Sequence, residues 1–257
     1  KALRAFPDFE RTIDHKVIPL YMKFNYIPAP FCIYKDCYKL MPAEIISFKI
    51  QNKSCEKIEQ KIFWSAKSII KSSQSNPVKC FDDAKVLIES ALEKSVKSQM
   101  ISDVPLGAFL SGGIDSSLIT ALMQKNSMDK IQTFTAKFES SSLDESKIAK
   151  NVADYLGSSN INVTVSDREA MTVIKNLSTI YDEPFADSSQ IPTTLISSIA
   201  KKNVTVALSG DAGDEVFGGY NRYKWGPYIW NKIVNYSPIT RKVLSKSLNI
   251  LNSSQIH

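Results

Sequence analysis

The chain has 257 residues, of which 43% are hydrophobic and 23% charged, with a formal net charge of +6. These values fit a soluble globular protein with one large domain, or one domain and a smaller appendage, able to bury a sizeable core. They exclude a membrane-crossing helix, since no apolar run approaches the roughly 18 residues required, and the scattered lysines form no basic block, so the charge reads as a solvated surface and no nucleic-acid partner is expected.

In chain order, residues 1–70 mix a helix-like stretch at Ile13–Phe24 with strand-like pieces at Phe31–Tyr34 and Ile45–Ile50, punctuated by Pro28, Pro30 and Pro42. Cys32, Cys37, Cys55 and Cys80 form no Cys-x-x-Cys pair. With only His15 and His257 to assist, a zinc site or a histidine-based triad is not expected. Reduced thiols in a cytoplasmic protein are expected instead. The polar stretch Lys71–Pro77 reads as a linker. From Phe81 the pattern becomes regular. Helices are predicted at Phe81–Met100, Ile114–Gln124, Leu143–Leu156, Asp167–Tyr181 and Ser189–Lys201, and strands at Val104–Leu110, Ile131–Phe138, Ile161–Val165 and Val204–Leu208. Gly157 closes one helix and Ser166 or Asp167 caps another. Strands alternating with helices predict a doubly wound α/β domain with a parallel sheet, preceded by a small α+β segment. The aromatic stretch Tyr220–Tyr236 reads as a core or interface face rather than a ligand cage.

The most informative segment is Leu110-Ser111-Gly112-Gly113-Ile114-Asp115-Ser116-Ser117, between an apolar strand and an amphipathic helix. Glycines let the backbone turn sharply and come close to a ligand. The helix that follows offers unpaired N–H groups and the positive end of its dipole, and the three serines add hydroxyls. Together these make an anion site suited to phosphate. No Gly-Lys-Ser or Gly-Lys-Thr is present and a third glycine is missing, so neither the triphosphate-cradling loop nor the dinucleotide fingerprint fits. Asp115 would repel a polyphosphate unless a cation stood between them, and magnesium meets that need.

A second glycine turn follows the strand Val204–Leu208: Ser209-Gly210-Asp211-Ala212-Gly213-Asp214-Glu215-Val216-Phe217-Gly218-Gly219-Tyr220. Loops at the carboxyl ends of parallel strands share one edge, so Asp211, Asp214 and Glu215 are expected to face the crevice that holds Asp115. Three carboxylates in five residues call for a bound cation or raised pKa values.

Ser-Gly-Gly-x-Asp-Ser resembles the signature of the PP-loop ATP pyrophosphatases. With the second loop, with Phe134-Thr135-Ala136-Lys137-Phe138 and Asp144-Glu145-Ser146, and with Tyr181-Asp-Glu-Pro-Phe-Ala-Asp-Ser-Ser-Gln-Ile-Pro192, the chain is similar to the synthetase domain of glutamine-dependent asparagine synthetases. The resemblance covers nearly the whole chain, most specifically residues 103–223. Tyr26–Pro30 and Lys39–Pro42 are similar to the segment that joins the amidase and synthetase domains. It implies two parts: residues 1–75 as a remnant of that joining segment, and residues 76–257 as a PP-loop domain incomplete at its C-terminus.

The resemblance implies that Ser111, Gly112, Gly113, Asp115, Ser116 and Ser117 hold pyrophosphate and magnesium, that Leu110, Ala136, Ser209 and Gly210 contact the adenylate, and that Asp115 and Asp214 are the magnesium ligands. Asp211, Asp214 and Glu215 become the catalytic group, with Asp211 near the reacting acyl centre. The implied reaction adenylates a carboxylate, most simply that of aspartate, with ATP. It then transfers ammonia from a glutaminase domain, giving asparagine, AMP and pyrophosphate. A homodimer is compatible with it. The family's cysteine-bearing amidase half is not in this sequence. Neither is its downstream lysine segment, since Lys224, Lys232 and Lys242 do not stand in a matching context. A fragment that binds nucleotide with weak or absent synthesis is therefore expected. Three alternatives stay open: an amide ligase with another acceptor acid, a binding module without catalysis, and, last, an RNA-modifying pyrophosphatase.

Overall fold

The computed structural model describes residues 1–51, 54–138 and 145–248. Its N-terminal part holds helix α1 (Ile18–Phe24), an antiparallel hairpin of β1 (Glu44–Gln51) and β2 (Ser54–Ile62), and helix α2 (Ala66–Ser75). Helix α1 starts later than the apolar pattern predicts. The Asp14 carboxylate accepts the Lys16 N–H at 2.9 Å, closing a 3-10 turn at His15–Val17 before the α-helix begins. Ile13 sits instead in an isolated antiparallel bridge with Tyr34, and that bridge is all the strand structure in Phe31–Tyr34. The linker expected at Lys71–Pro77 is helical through Ser75, because the Ser65 hydroxyl caps α2 and serine does not stop a helix once it is nucleated. All four cysteines are free thiols. Among the described residues no helix is long and apolar enough to cross a membrane.

The described residues that follow form α3 (Phe81–Gln99), β3 (Leu106–Phe109), α4 (Ile114–Lys125), β4 (Gln132–Phe138), α5 (Ser146–Leu156), β5 (Ser159–Val165), α6 (Asp167–Ile180), α7 (Gln190–Ala200), β6 (Val206–Leu208), α8 (Gly213–Phe217), α9 (Asn221–Ile233) and α10 (Pro238–Leu248). Part of the helix expected at Leu143–Leu156 lies outside the described residues, namely Leu143 and Asp144.

The four strands β5-β4-β3-β6 form one sheet in that order, and all three pairings are parallel. Alternating side chains then go to opposite faces. Ala108 packs with Val96, Leu122 and Met123 of α3 and α4, while Leu110 packs with Ala149 and Ala153 of α5. On the other face, Phe109 and its register partner Phe134 pack with Ile196 and Ala200 of α7. Helices therefore cover both faces, as the doubly wound reading requires. The chain steps outward from β3 to β4 to β5 and then returns to the far side of β3 as β6. The strand order reverses between β3 and β6, and the carboxyl ends at such a reversal frame a ligand crevice.

Polar contacts fasten the N-terminal part to the segment before α7. Among them, the Glu183 carboxylate pairs with Lys39 at 2.5 Å and accepts the Ile33 N–H at 3.1 Å, the Ala186 N–H donates to the Asn25 carbonyl at 2.8 Å, and the N-terminal ammonium pairs with Asp182 at 2.9 Å.

Candidate nucleotide site

The turn after β3 is braced from within. The Ser116 hydroxyl oxygen accepts the Ser111 N–H at 3.2 Å and lies 2.9 Å from the Ser111 hydroxyl, and the Ser116 hydroxyl donates to the Gly113 carbonyl at 3.2 Å. The Gly113 N–H in turn donates to the Ser111 oxygen. Two of the serines expected as phosphate donors thus hold the turn in shape. Gly113 is the N-cap of α4, and no side chain among the described residues takes up the first-turn N–H groups of that helix. Gly112 takes a φ of +89° and lies against Ile148 and Ala149 of α5, so it shapes the turn from behind.

The turn after β6 lies directly against the first. A β-carbon on Gly210 would stand 2.6 Å from the Ser116 nitrogen, and one on Gly213 would strike the Asp115 carboxylate. Only glycine allows these approaches, and they bring the two acidic segments together. The Asp211 carboxylate accepts the Ser209 hydroxyl at 2.9 Å. Asp214 lies in the first turn of α8, and its side chain lies against Gly219.

Between the turns is an open cleft of about 570 Å³. Of the residues singled out in the sequence, Leu110, Ser111, Gly113, Asp115, Ser116, Ala136, Ser209, Gly210, Asp211 and Asp214 line it. Gly112, Ser117 and Glu215 do not. The Ser117 hydroxyl oxygen is buried and, among the described residues, has no hydrogen-bond partner. Glu215 is exposed and accepts the Tyr220 hydroxyl at 3.0 Å, a bond that raises the Tyr220 pKa above its ordinary value. Sequence reasoning did not assign Phe109, Lys137, Glu145, Pro192, Thr193 or Ile196, which complete the wall. Two signals could have found four of them: Lys137 follows Ala136 at the same strand end, and Pro192, Thr193 and Ile196 share one helical face of α7.

The cleft is acidic. Asp115, Glu145, Asp211 and Asp214 line it against a single cation, Lys137, among the described residues. A polyphosphate would enter only with a compensating cation. No group of three or more His, Cys, Asp or Glu among the described residues is arranged to hold a metal. Magnesium needs no such group: it commonly takes one or two carboxylates and completes its shell with phosphate oxygens and water. Asp115 and Asp214 both line the cleft and have carboxylate oxygens of the kind such a shell uses.

The sequence model of the family described as asparagine synthase matches residues 87–254. A Methanocaldococcus jannaschii protein named as a glutamine-hydrolysing asparagine synthetase is 38% identical over 212 residues, which are 82% of this chain and 39% of that protein. Asparagine synthetase (glutamine-hydrolysing) 1 of Bacillus subtilis is 35% identical over 224 residues, 82% of this chain and 32% of that protein. The chain therefore spans well under half the length of these relatives. Among solved structures, a glutamine-dependent NAD+ synthetase from Acinetobacter baumannii in complex with adenosine diphosphate is similar at 19% identity and a TM-score of 0.39, over 64% of this chain and 30% of that one.

Proposed function

The chain belongs to the asparagine synthase family, and on that premise we propose that it is the ATP-using part of an amide ligase. The observation that carries this reading is the contact of the two glycine turns at the β3–β6 reversal, where Gly210 and Gly213 fit against Ser116 and Asp115 with no room for a side chain. A substrate carboxylate oxygen attacks the α-phosphorus of ATP, the bond to the β-phosphate oxygen breaks, and pyrophosphate leaves. Ammonia then adds to the carbonyl of the acyl-adenylate, loses a proton, and AMP departs with the bonding electron pair. We propose aspartate as the acceptor and a glutamine-hydrolysing partner domain as the ammonia source, a reading supported by the names of the relatives.

In this scheme the α4 N–H groups and the Ser111–Gly113 turn hold the pyrophosphate, while Leu110, Ala136, Ser209 and Gly210 take the adenylate. Asp115 and Asp214 would hold magnesium, which when bound offsets the charge of the departing pyrophosphate. At about 4 Å and an effective dielectric near 20, each unit-charge pair is worth about 4 kcal/mol, so charge neutralisation and positioning supply most of the acceleration. Asp211, beside the adenylate end of the cleft, orients the acyl centre. We further propose that residues 1–75 form the joining segment and residues 76–257 the synthetase domain.

Calorimetric titration with ATP tests the reading. We expect binding that requires magnesium and falls by about tenfold or more in Asp115→Asn and Asp214→Asn, the loss of one charge-assisted contact. Binding that ignores both magnesium and these substitutions would overturn it. A pyrophosphate-release screen across candidate acids separates aspartate from other acceptors.

A further inference from the structure

We propose that Lys137 is a second, protein-borne counter-charge for the polyphosphate, gripping the pyrophosphate portion of the bound nucleotide. This rests on the nucleotide reading above. Strand β4 outruns β3: its last β3 partner is Phe134, paired with Phe109, while it continues beside β5 through Phe138. At the point of divergence the Leu110 N–H donates to the Phe134 carbonyl, and the Thr135 hydroxyl donates to the Leu110 carbonyl at 2.8 Å. Side chains two apart on a strand share a face. Lys137 therefore continues the Thr135 side, roughly 7 Å farther along. That takes it past the end of β3, over the place where the chain leaves for the Ser111–Gly113 turn. It lines the cleft together with Ser111, Gly113 and Asp115.

The acidic lining makes this position matter. Four carboxylates line the cleft, and magnesium on Asp115 and Asp214 would leave Glu145 and Asp211 facing the ligand. An ammonium on a flexible stem is a point charge suited to a phosphate oxygen. Ala136, its neighbour, lies on the opposite side of the strand with Phe134, which separates the pyrophosphate side of the cleft from the adenylate side. Lys137 already has an interaction in this structure, which it exchanges for a phosphate when ligand binds.

The test titrates the 257-residue chain with ATP, AMP and inorganic pyrophosphate, each with magnesium present, for the unaltered protein, Lys137→Met and Lys137→Arg. Lys137→Met is expected to weaken ATP and pyrophosphate by about tenfold or more, leave AMP within about twofold, and unfold at the same temperature as the unaltered chain. Lys137→Arg is expected to restore most of the loss, because it keeps the charge. Equal losses for AMP and pyrophosphate, or no loss at all, would overturn the role of Lys137 while the nucleotide reading stands. No binding of ATP, AMP or pyrophosphate by the unaltered chain would overturn both.

Discussion

A β-carbon at position 210 would press on backbone atoms of α4, 2.6 Å from the Ser116 nitrogen and 2.8 Å from the Asp115 carbonyl carbon. Backbone at a helix start cannot swing aside as a flexible side chain can, so the two turns must separate. We expect Gly210→Ala to lose about 1–3 kcal/mol of stability, the usual cost of overpacking, and to lose ATP affinity with it. Chemical denaturation and titration on the same variant check both; an unchanged midpoint would show that the turns are not in contact. At this scale much of the site was legible. Ser111–Ser117 and Ser209–Glu215 announce glycine turns after strands, and with Leu110 and Ala136 ten of the thirteen residues singled out in the sequence line one cleft. Burial and bracing were not legible. Nothing in the letters says that Ser116 is used up in holding the turn, that Ser117 faces inward, or that Tyr220 draws Glu215 aside. Those outcomes depend on helix phase and on neighbours from other elements.

Among the elements, the parallel strands were the easiest to read, because β3 to β6 are short apolar runs between helical patterns. The hairpin partner β2 was not, since Ser54–Ile62 alternates charged residues with isolated apolar ones and every position is exposed. Its strand form is set by pairing with β1, from Glu44↔Ile62 to Gln51↔Ser54, and pairing is invisible to a window of sequence. The same holds for the ties between the N-terminal part and the segment before α7, where Glu183 takes an ion pair from Lys39 and a backbone N–H from Ile33. This half-buried carboxylate is a strut rather than a ligand to the cleft, which it does not line. Glu183→Ala should leave the Ile33 N–H without its acceptor and Lys39 with only the Ile27 carbonyl, and cost about 1–3 kcal/mol. Hydrogen exchange should then quicken at residues 25–39 more than in the parallel sheet. Uniform protection across both regions would contradict the strut.

At the scale of the whole molecule, topology explains why two loops almost a hundred residues apart in the chain share one cleft. Each ends a strand at the same edge, and the reversal of strand order between β3 and β6 frames a crevice there. The α/β order was enough to predict this. The aromatic stretch after the second turn was only half legible. Trp225, Tyr228 and Trp230 each keep about half of their surface exposed, so α9 is not a core face within this chain, although its composition allows one. A crystal structure with AMP, pyrophosphate and magnesium is the decisive measurement. We expect pyrophosphate against the start of α4 between Ser111 and Gly210, with the adenylate on the Ala136 side. Ligand density elsewhere on the molecule, with this cleft unchanged, would contradict it.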